Sequence, residues 1–176
     1  MTDYFEFYGL PVSFNPDPAL VKQKFYELSK QYHPDFFINE SEEKQAEVLE
    51  LSTVNNKAYQ VLTDPQKRLH YILELKGVLT AGENYVLPQG FLMEMMEVNE
   101  ALMDMQFDPD AEKLAALRDE VAGIEKSISD EIISLTSGFD AQTEPEQGKL
   151  LAAVKDLYYR NKYLLRIRDS IRAASK

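Results

Sequence analysis

Apolar residues in this chain recur three and four positions apart, and the alternation expected of a strand is almost absent. A chain patterned this way is all-α, built from helices that pack their apolar stripes together. The breaks between stripes carry the marks of helix starts. After Asn15-Pro16-Asp17-Pro18, a cap with proline at the first helical position, come Val21, Phe25, Leu28 and Tyr32. That helix must stop at His33, because Pro34 disfavours helical geometry for the residue before it. A second helix is expected from about Ser41 to Leu62, with Leu51, Val54, Ala58 and Val61 inward. Thr63-Asp64-Pro65 caps a third, which ends at Gly77, and a turn of helix at Tyr4–Tyr8, closed by Gly9, precedes them all. Residues 1–76 therefore read as a small helical domain whose two longer helices form a hairpin joined by the Pro34 loop.

Residues 77–87, with Gly82 and Asn84, are the expected connector, and residues 88–176 the second domain. Pro88 opens a helix running to about Phe107. Asp108-Pro109 caps another, with Leu114, Leu117, Val121, Ile124, Ile128 and Leu135 on one stripe, and Gly138 ends it. Glu144-Pro145 starts the last, which reaches about Ala173 with Leu150, Val154, Leu157, Leu164 and Ile171 inward. Short connections make neighbouring helices antiparallel, so this half reads as a three-helix bundle. Each helix is marginal alone and stands by packing its stripe.

Composition excludes several functions. The 176 residues contain no cysteine, which removes disulfides, thiol catalysis and cysteine-ligated zinc or iron–sulfur sites. No run approaches 18 consecutive apolar residues, so no membrane span is expected. The acidic, aromatic start, Met1 to Glu6, is unlike a targeting peptide, and a cytoplasmic protein is expected. Net charge is −11, which repels a phosphate backbone and argues against nucleic-acid binding. From Lys149 to Lys176, however, eight residues are basic and two acidic, as expected of a helix packed in cis against acidic segments.

Two groups of residues carry more information. The first is Tyr32-His33-Pro34-Asp35, at the tip of the hairpin, where no core demands those side chains. Lys22, Tyr26 and Lys30 recur every four residues before it and form a basic, partly aromatic stripe beside the buried one. After it come Asn55, Ala58-Tyr59, Val61-Leu62, Asp64-Pro65, Gln66-Lys67-Arg68 and Tyr71. In order and spacing, residues 3–76 resemble a J-domain, the module by which J-proteins engage an Hsp70 chaperone. The resemblance implies that His33, Pro34 and Asp35 contact the Hsp70 nucleotide-binding domain near its interdomain linker. Lys22, Tyr26 and Lys30 would lie on the docking face, with the two lysines against an acidic surface. Docking would favour the conformation in which Hsp70 hydrolyses ATP, a population shift set by differential affinity for two states. Two departures stand out. Phe36-Phe37 follows the tripeptide where many J-domains carry lysine, and Ile72 follows Tyr71 where general J-domains have aspartate. Both point to a specialist.

The second group is Phe91-Leu92-Met93-Glu94-Met95-Met96-Glu97-Val98-Asn99-Glu100-Ala101-Leu102-Met103-Asp104-Met105. At about 100° per residue, Phe91, Met95, Val98, Leu102 and Met105 share one direction, enough to hold the bundle. Leu92, Met96 and Met103 cluster about 120° away, with Met93 beside Glu97, Glu100 and Asp104. A helix with two apolar stripes either buries both or offers one to a partner, and methionine suits an adaptable face. Phe91-Leu92-Met93-Glu94 with Glu97 and Glu100, after a J-domain, is similar to the HscB family, dedicated co-chaperones of iron–sulfur cluster assembly. The similarity covers essentially the whole chain. It implies that Leu92, Met93, Met96, Glu97 and Glu100 bind an IscU-type cluster scaffold protein. An aromatic from the last helix joins them in the family; Tyr159 is its nearest match, with Tyr158 the adjacent alternative. Asn99 stands where family members carry a basic residue.

His70 has no second histidine or cysteine at i±4, and no Glu-x-x-His occurs, so a di-metal bundle enzyme is unsupported. The expectation is a non-enzymatic co-chaperone without cofactor or metal, a monomer in the simplest case. Its partners would be an Hsp70 of the HscA or DnaK kind and an IscU-type scaffold. The rivals are a J-protein for another client and a helical enzyme or scaffold retaining a J-like hairpin.

Overall fold

The computed structural model describes residues 3–176. Its contacts divide the chain into two compact units, Met1–Gly77 and Val78–Lys176. Among the described residues all regular structure is helical.

In the first unit, α1 (Tyr4–Tyr8) is capped by the Asp3 carboxylate and closed by Gly9, whose φ of 63° is the left-handed geometry that glycine adopts without strain. The hairpin is made of α2 (Pro18–Gln31) and α3 (Glu42–Thr63), joined through a 3₁₀ turn at Pro34–Phe37. Asp17 caps α2 with Pro18 in its first turn, and Asp64 caps α4 (Pro65–Leu75) in the same way. Phe5, Tyr8, Val21, Val48, Ala58, Leu62, Leu69, Ile72 and Leu73 form the core. The inward face of α3 differs from the expected one: Val48, Asn55, Ala58 and Leu62 are buried, while Leu51, Val54 and Val61 are half-buried. Helix α4 stops at Leu75, two residues before the expected Gly77, which instead turns the chain at φ 68°.

The second unit contains α5 (Gln89–Phe107), α6 (Ala111–Thr136) and α7 (Glu144–Ala174). Its core joins Phe91, Met95, Val98 and Leu102 of α5 to Leu117, Val121 and Ile128 of α6 and Leu157, Leu164, Ile167 and Ile171 of α7. The Asp108-Pro109 pair does not cap α6. Asp110 does, its carboxylate accepting from the N–H groups of Glu112 and Lys113, while Asp108 ends α5. Gly138 ends the α6 segment at φ 73°, and Thr143 with Glu146 forms a reciprocal capping box at the start of α7. The basic α7 packs against α6 and α5, with Arg168 3.9 Å from Glu125 and Arg160 over the Phe91 ring at 5.5 Å.

Candidate binding surfaces

The tip of the hairpin takes its shape from local interactions. Pro34 starts the 3₁₀ turn, and the Asp35 N–H donates to His33 Nδ1 at 3.3 Å. With Nδ1 accepting, the neutral ring carries its proton on Nε2. The Asp35 carboxylate is 3.8 Å from the same nitrogen, and the Phe36 ring lies 5.5 Å from the imidazole. All three tripeptide residues remain exposed, the Asp35 side chain at 83% and that of His33 at 52%. Lys22, Tyr26 and Lys30 are exposed on α2, on the helix that leads into the tip. The structure thus presents all six residues on the surface of the hairpin.

Beneath the surface, the other residues of the motif hold the hairpin together. Asn55 is 1% exposed, and its amide donates to the Phe25 carbonyl at 3.1 Å and to the Ser29 hydroxyl at 3.0 Å. Its side-chain oxygen accepts from the Tyr8 hydroxyl at 2.9 Å. Phe25 stacks on Tyr59 with ring centres 4.2 Å apart. Arg68 donates to the carbonyls of Phe14 and Leu62, tying α4 to the loop before α2 and to the end of α3. The Tyr71 hydroxyl accepts from the Tyr4 N–H and donates to Asp3; burial pushes its pKa up to about 12. His70 sits 3.3 Å from Glu74 along α4.

On α5 the two stripes separate as the periodicity predicts. Phe91, Met95, Val98 and Leu102 are buried, with Met105 packed against them. Leu92 is 37% exposed, and Met93, Met96 and Met103 are each about 60% exposed. Glu97 and Glu100 are exposed on the same outer side, so the five α5 candidates form one surface. Asn99 is partly buried and donates to the Tyr163 hydroxyl at 3.1 Å, which turns it inward.

Tyr159 has a more occupied setting than its sequence position suggested. Its ring stacks on Tyr85 at 4.5 Å, with 5° between planes, and its hydroxyl donates to Glu83 at 3.2 Å. Burial and the adjacent Glu83 raise its pKa. Lys155 donates to Glu83 and to the Val78 carbonyl, and the Tyr85 hydroxyl donates to Asp156 at 2.7 Å. The segment ahead of α5 is thereby fastened along α7. Tyr158 is 5% exposed, so of the two tyrosines Tyr159 is the one with surface to offer. Among the described residues no group of three histidine or acidic side chains gathers as a metal site, and no helix is long and apolar enough to cross a membrane.

Comparison with known proteins decides the family. Residues 3–71 match the DnaJ domain model, and residues 87–172 match the HSCB C-terminal oligomerisation domain model. The co-chaperone protein HscB of Proteus mirabilis is 34% identical over 142 residues, covering 80% of this chain and 81% of that one. The chain belongs to the HscB family of co-chaperones. An HscB homolog of Vibrio campbellii is 33% identical over 170 residues, covering 96% and 94% of the two chains. Two solved HscB structures share the architecture. Chaperone HscB from Vibrio cholerae superposes with a TM-score of 0.74 at 27% identity, covering 99% and 98% of the chains. Human co-chaperone protein HscB superposes with a TM-score of 0.81 at 25% identity, covering 99% of this chain and 83% of the human one. This HscB-family chain is therefore all-α with an N-terminal DnaJ domain, and its named relatives are co-chaperones.

Proposed function

We propose that this protein binds an IscU-type iron–sulfur scaffold protein through its C-terminal domain, residues 88–176. Through its J-domain, residues 1–76, it then presents the scaffold to an Hsp70 of the HscA or DnaK kind and stimulates ATP hydrolysis. The observation that carries this reading is the pair of surfaces on one chain: an exposed His33-Pro34-Asp35 tip and an exposed Leu92/Met93/Met96 face flanked by Glu97 and Glu100. The tip supplies a fixed imidazole, a rigid turn and a carboxylate, with Lys22 and Lys30 as cations and Tyr26 as an amphipathic contact. These groups suit docking to an acidic partner, and the Hsp70 does the bond chemistry. The α5 face supplies apolar, adaptable contact area with a carboxylate rim that discriminates for a basic partner. Tyr159, anchored by Glu83 and Tyr85, adds an aromatic edge. Joining the two modules raises the effective concentration of scaffold at the chaperone. The protein acts as a monomer in the cytoplasm, without a cofactor of its own.

Single-turnover ATP hydrolysis by the cognate Hsp70, with and without scaffold, tests this. Wild type stimulates, His33→Gln abolishes stimulation, and Leu92→Ala/Met96→Ala loses only the scaffold-dependent part. Stimulation indifferent to scaffold would assign the protein to another client. No stimulation of a competent Hsp70 would end the chaperone reading.

A further inference from the structure

Phe107, the last residue of α5, is 86% exposed, more than any other large apolar side chain among the described residues. It is not an isolated surface residue. Taking Leu92 as origin and about 100° per residue, Met96, Met103 and Phe107 fall at about 40°, 20° and 60°, a single stripe about 22 Å long. Leu92, Met96 and Glu100 occupy its first part, and Met103, 59% exposed, links them to Phe107. Beside Phe107 a cleft of about 560 Å³ opens between the end of α5 and the start of α6. Its apolar lining includes Met105, Phe107, Ala116 and Leu117, and its acidic lining includes Asp104 and Glu120. Its one basic lining residue, Lys113, is 3.7 Å from the Asp110 carboxylate and so partly neutralised. Helix α5 itself carries four carboxylates and no lysine or arginine.

We infer that the scaffold-binding face of α5 continues past the methionines of its first turns to Met103 and Phe107, where the cleft receives an apolar side chain from a basic segment of the same scaffold. The inference rests on the reading of α5 as the scaffold-binding face. Continuity selects this occupant, because Phe107 lies on the stripe that Leu92 and Met96 begin. Charge selects its chemistry. Asp104, Glu120 and Glu100 favour a cationic segment, and a second copy of this chain, at −11, is repelled on average. Four exposed apolar side chains along one helix face are also more than a lone exposed residue would present.

Calorimetric titration of the full chain with apo scaffold protein, at low and moderate salt, tests the inference. Phe107→Ala and Met103→Ala are compared with Phe107→Leu, Leu92→Ala/Met96→Ala and wild type, with unfolding curves to show each variant folded. Phe107→Ala is expected to weaken scaffold binding about tenfold, as truncation of an anchor does, with Phe107→Leu close to wild type. Asp104→Asn/Glu120→Gln is expected to weaken binding at low salt and to flatten its salt dependence. If Phe107→Ala and Met103→Ala bind like wild type while Leu92→Ala/Met96→Ala does not, the extension is wrong and the proposed function stands. If wild type itself does not bind scaffold, the proposed function fails and the extension with it. If Phe107→Ala leaves scaffold binding intact but dissolves a dimer seen by sedimentation, the cleft belongs to a second copy and the inference is overturned.

Discussion

Asn55 shows how a single polar side chain can decide a hairpin. It is buried among Phe25, Ser29 and Tyr8 and satisfies its amide on two of them and its oxygen on the third. Replacing it with alanine removes the side-chain partner of the Tyr8 hydroxyl, which keeps only the residue 55 backbone carbonyl at 3.1 Å, and leaves a void. Asn55→Ala is expected to cost the first unit about 2–3 kcal/mol in urea unfolding, and Tyr8→Phe about 1 kcal/mol. His33→Gln is expected to behave in the opposite sense, leaving the unfolding midpoint unchanged and removing the proposed Hsp70 stimulation, because its ring is half exposed and its contacts, to Asp35 and Phe36, lie within the turn. His33, Pro34 and Asp35 were legible in the sequence because their geometry is local. The role of Asn55 was not, since its partners lie 26, 30 and 47 positions away.

Helix phase and helix ends divide the same way. On α3 the buried positions Val48, Asn55, Ala58 and Leu62, with half-buried Leu51 between the first two, follow a three–four spacing. A reading that counts asparagine as polar breaks that series at Asn55 and shifts the stripe onto Val54 and Val61. On α5, where the inward stripe is wholly apolar, the phase read from the sequence is the one in the structure. The start of α6 offers two aspartates around Pro109, and proline after Asp108 marks a helix start as strongly as Asp110 does. The structure gives the cap to Asp110 because Asp108 is still receiving the end of α5: its N–H donates to the Asp104 carbonyl at 2.9 Å. Asp110→Ala is expected to lower the unfolding midpoint of the second unit, with Asp108→Ala close to wild type, in thermal or urea unfolding. Gly138→Ala, at φ 73°, is expected to cost about 1 kcal/mol by the same measurement.

At the scale of the molecule, two units each close their own core, and the second also fastens the segment that leads into α5. Lys155 holds Glu83 in its ionised form and lowers its pKa, while burial and Asp156 push Tyr85 up to about 12. A carboxylate whose pKa is lower folded than unfolded stabilises the fold above the unfolded value, about 4.3 for glutamate, and loses that effect as pH falls through the folded value. Glu83→Gln is therefore expected to lower the melting temperature of the second unit at pH 7, with the gap to wild type closing as pH drops below about 4. The clasp was invisible in the sequence because Glu83 and Tyr85 meet α7 across 71 to 76 residues. What the sequence by itself determined was the all-α class, the helices and their approximate ends, the two stripes of α5 and the His33-Pro34-Asp35 turn. All of these follow from spacing, capping and proline geometry within a few residues. Tertiary structure alone decided which way α3 faces, that Tyr159 is held by Tyr85 and Glu83, and that Phe107 stands exposed beside a cleft. Those outcomes depend on which distant side chains arrive opposite one another, a quantity that no local period encodes.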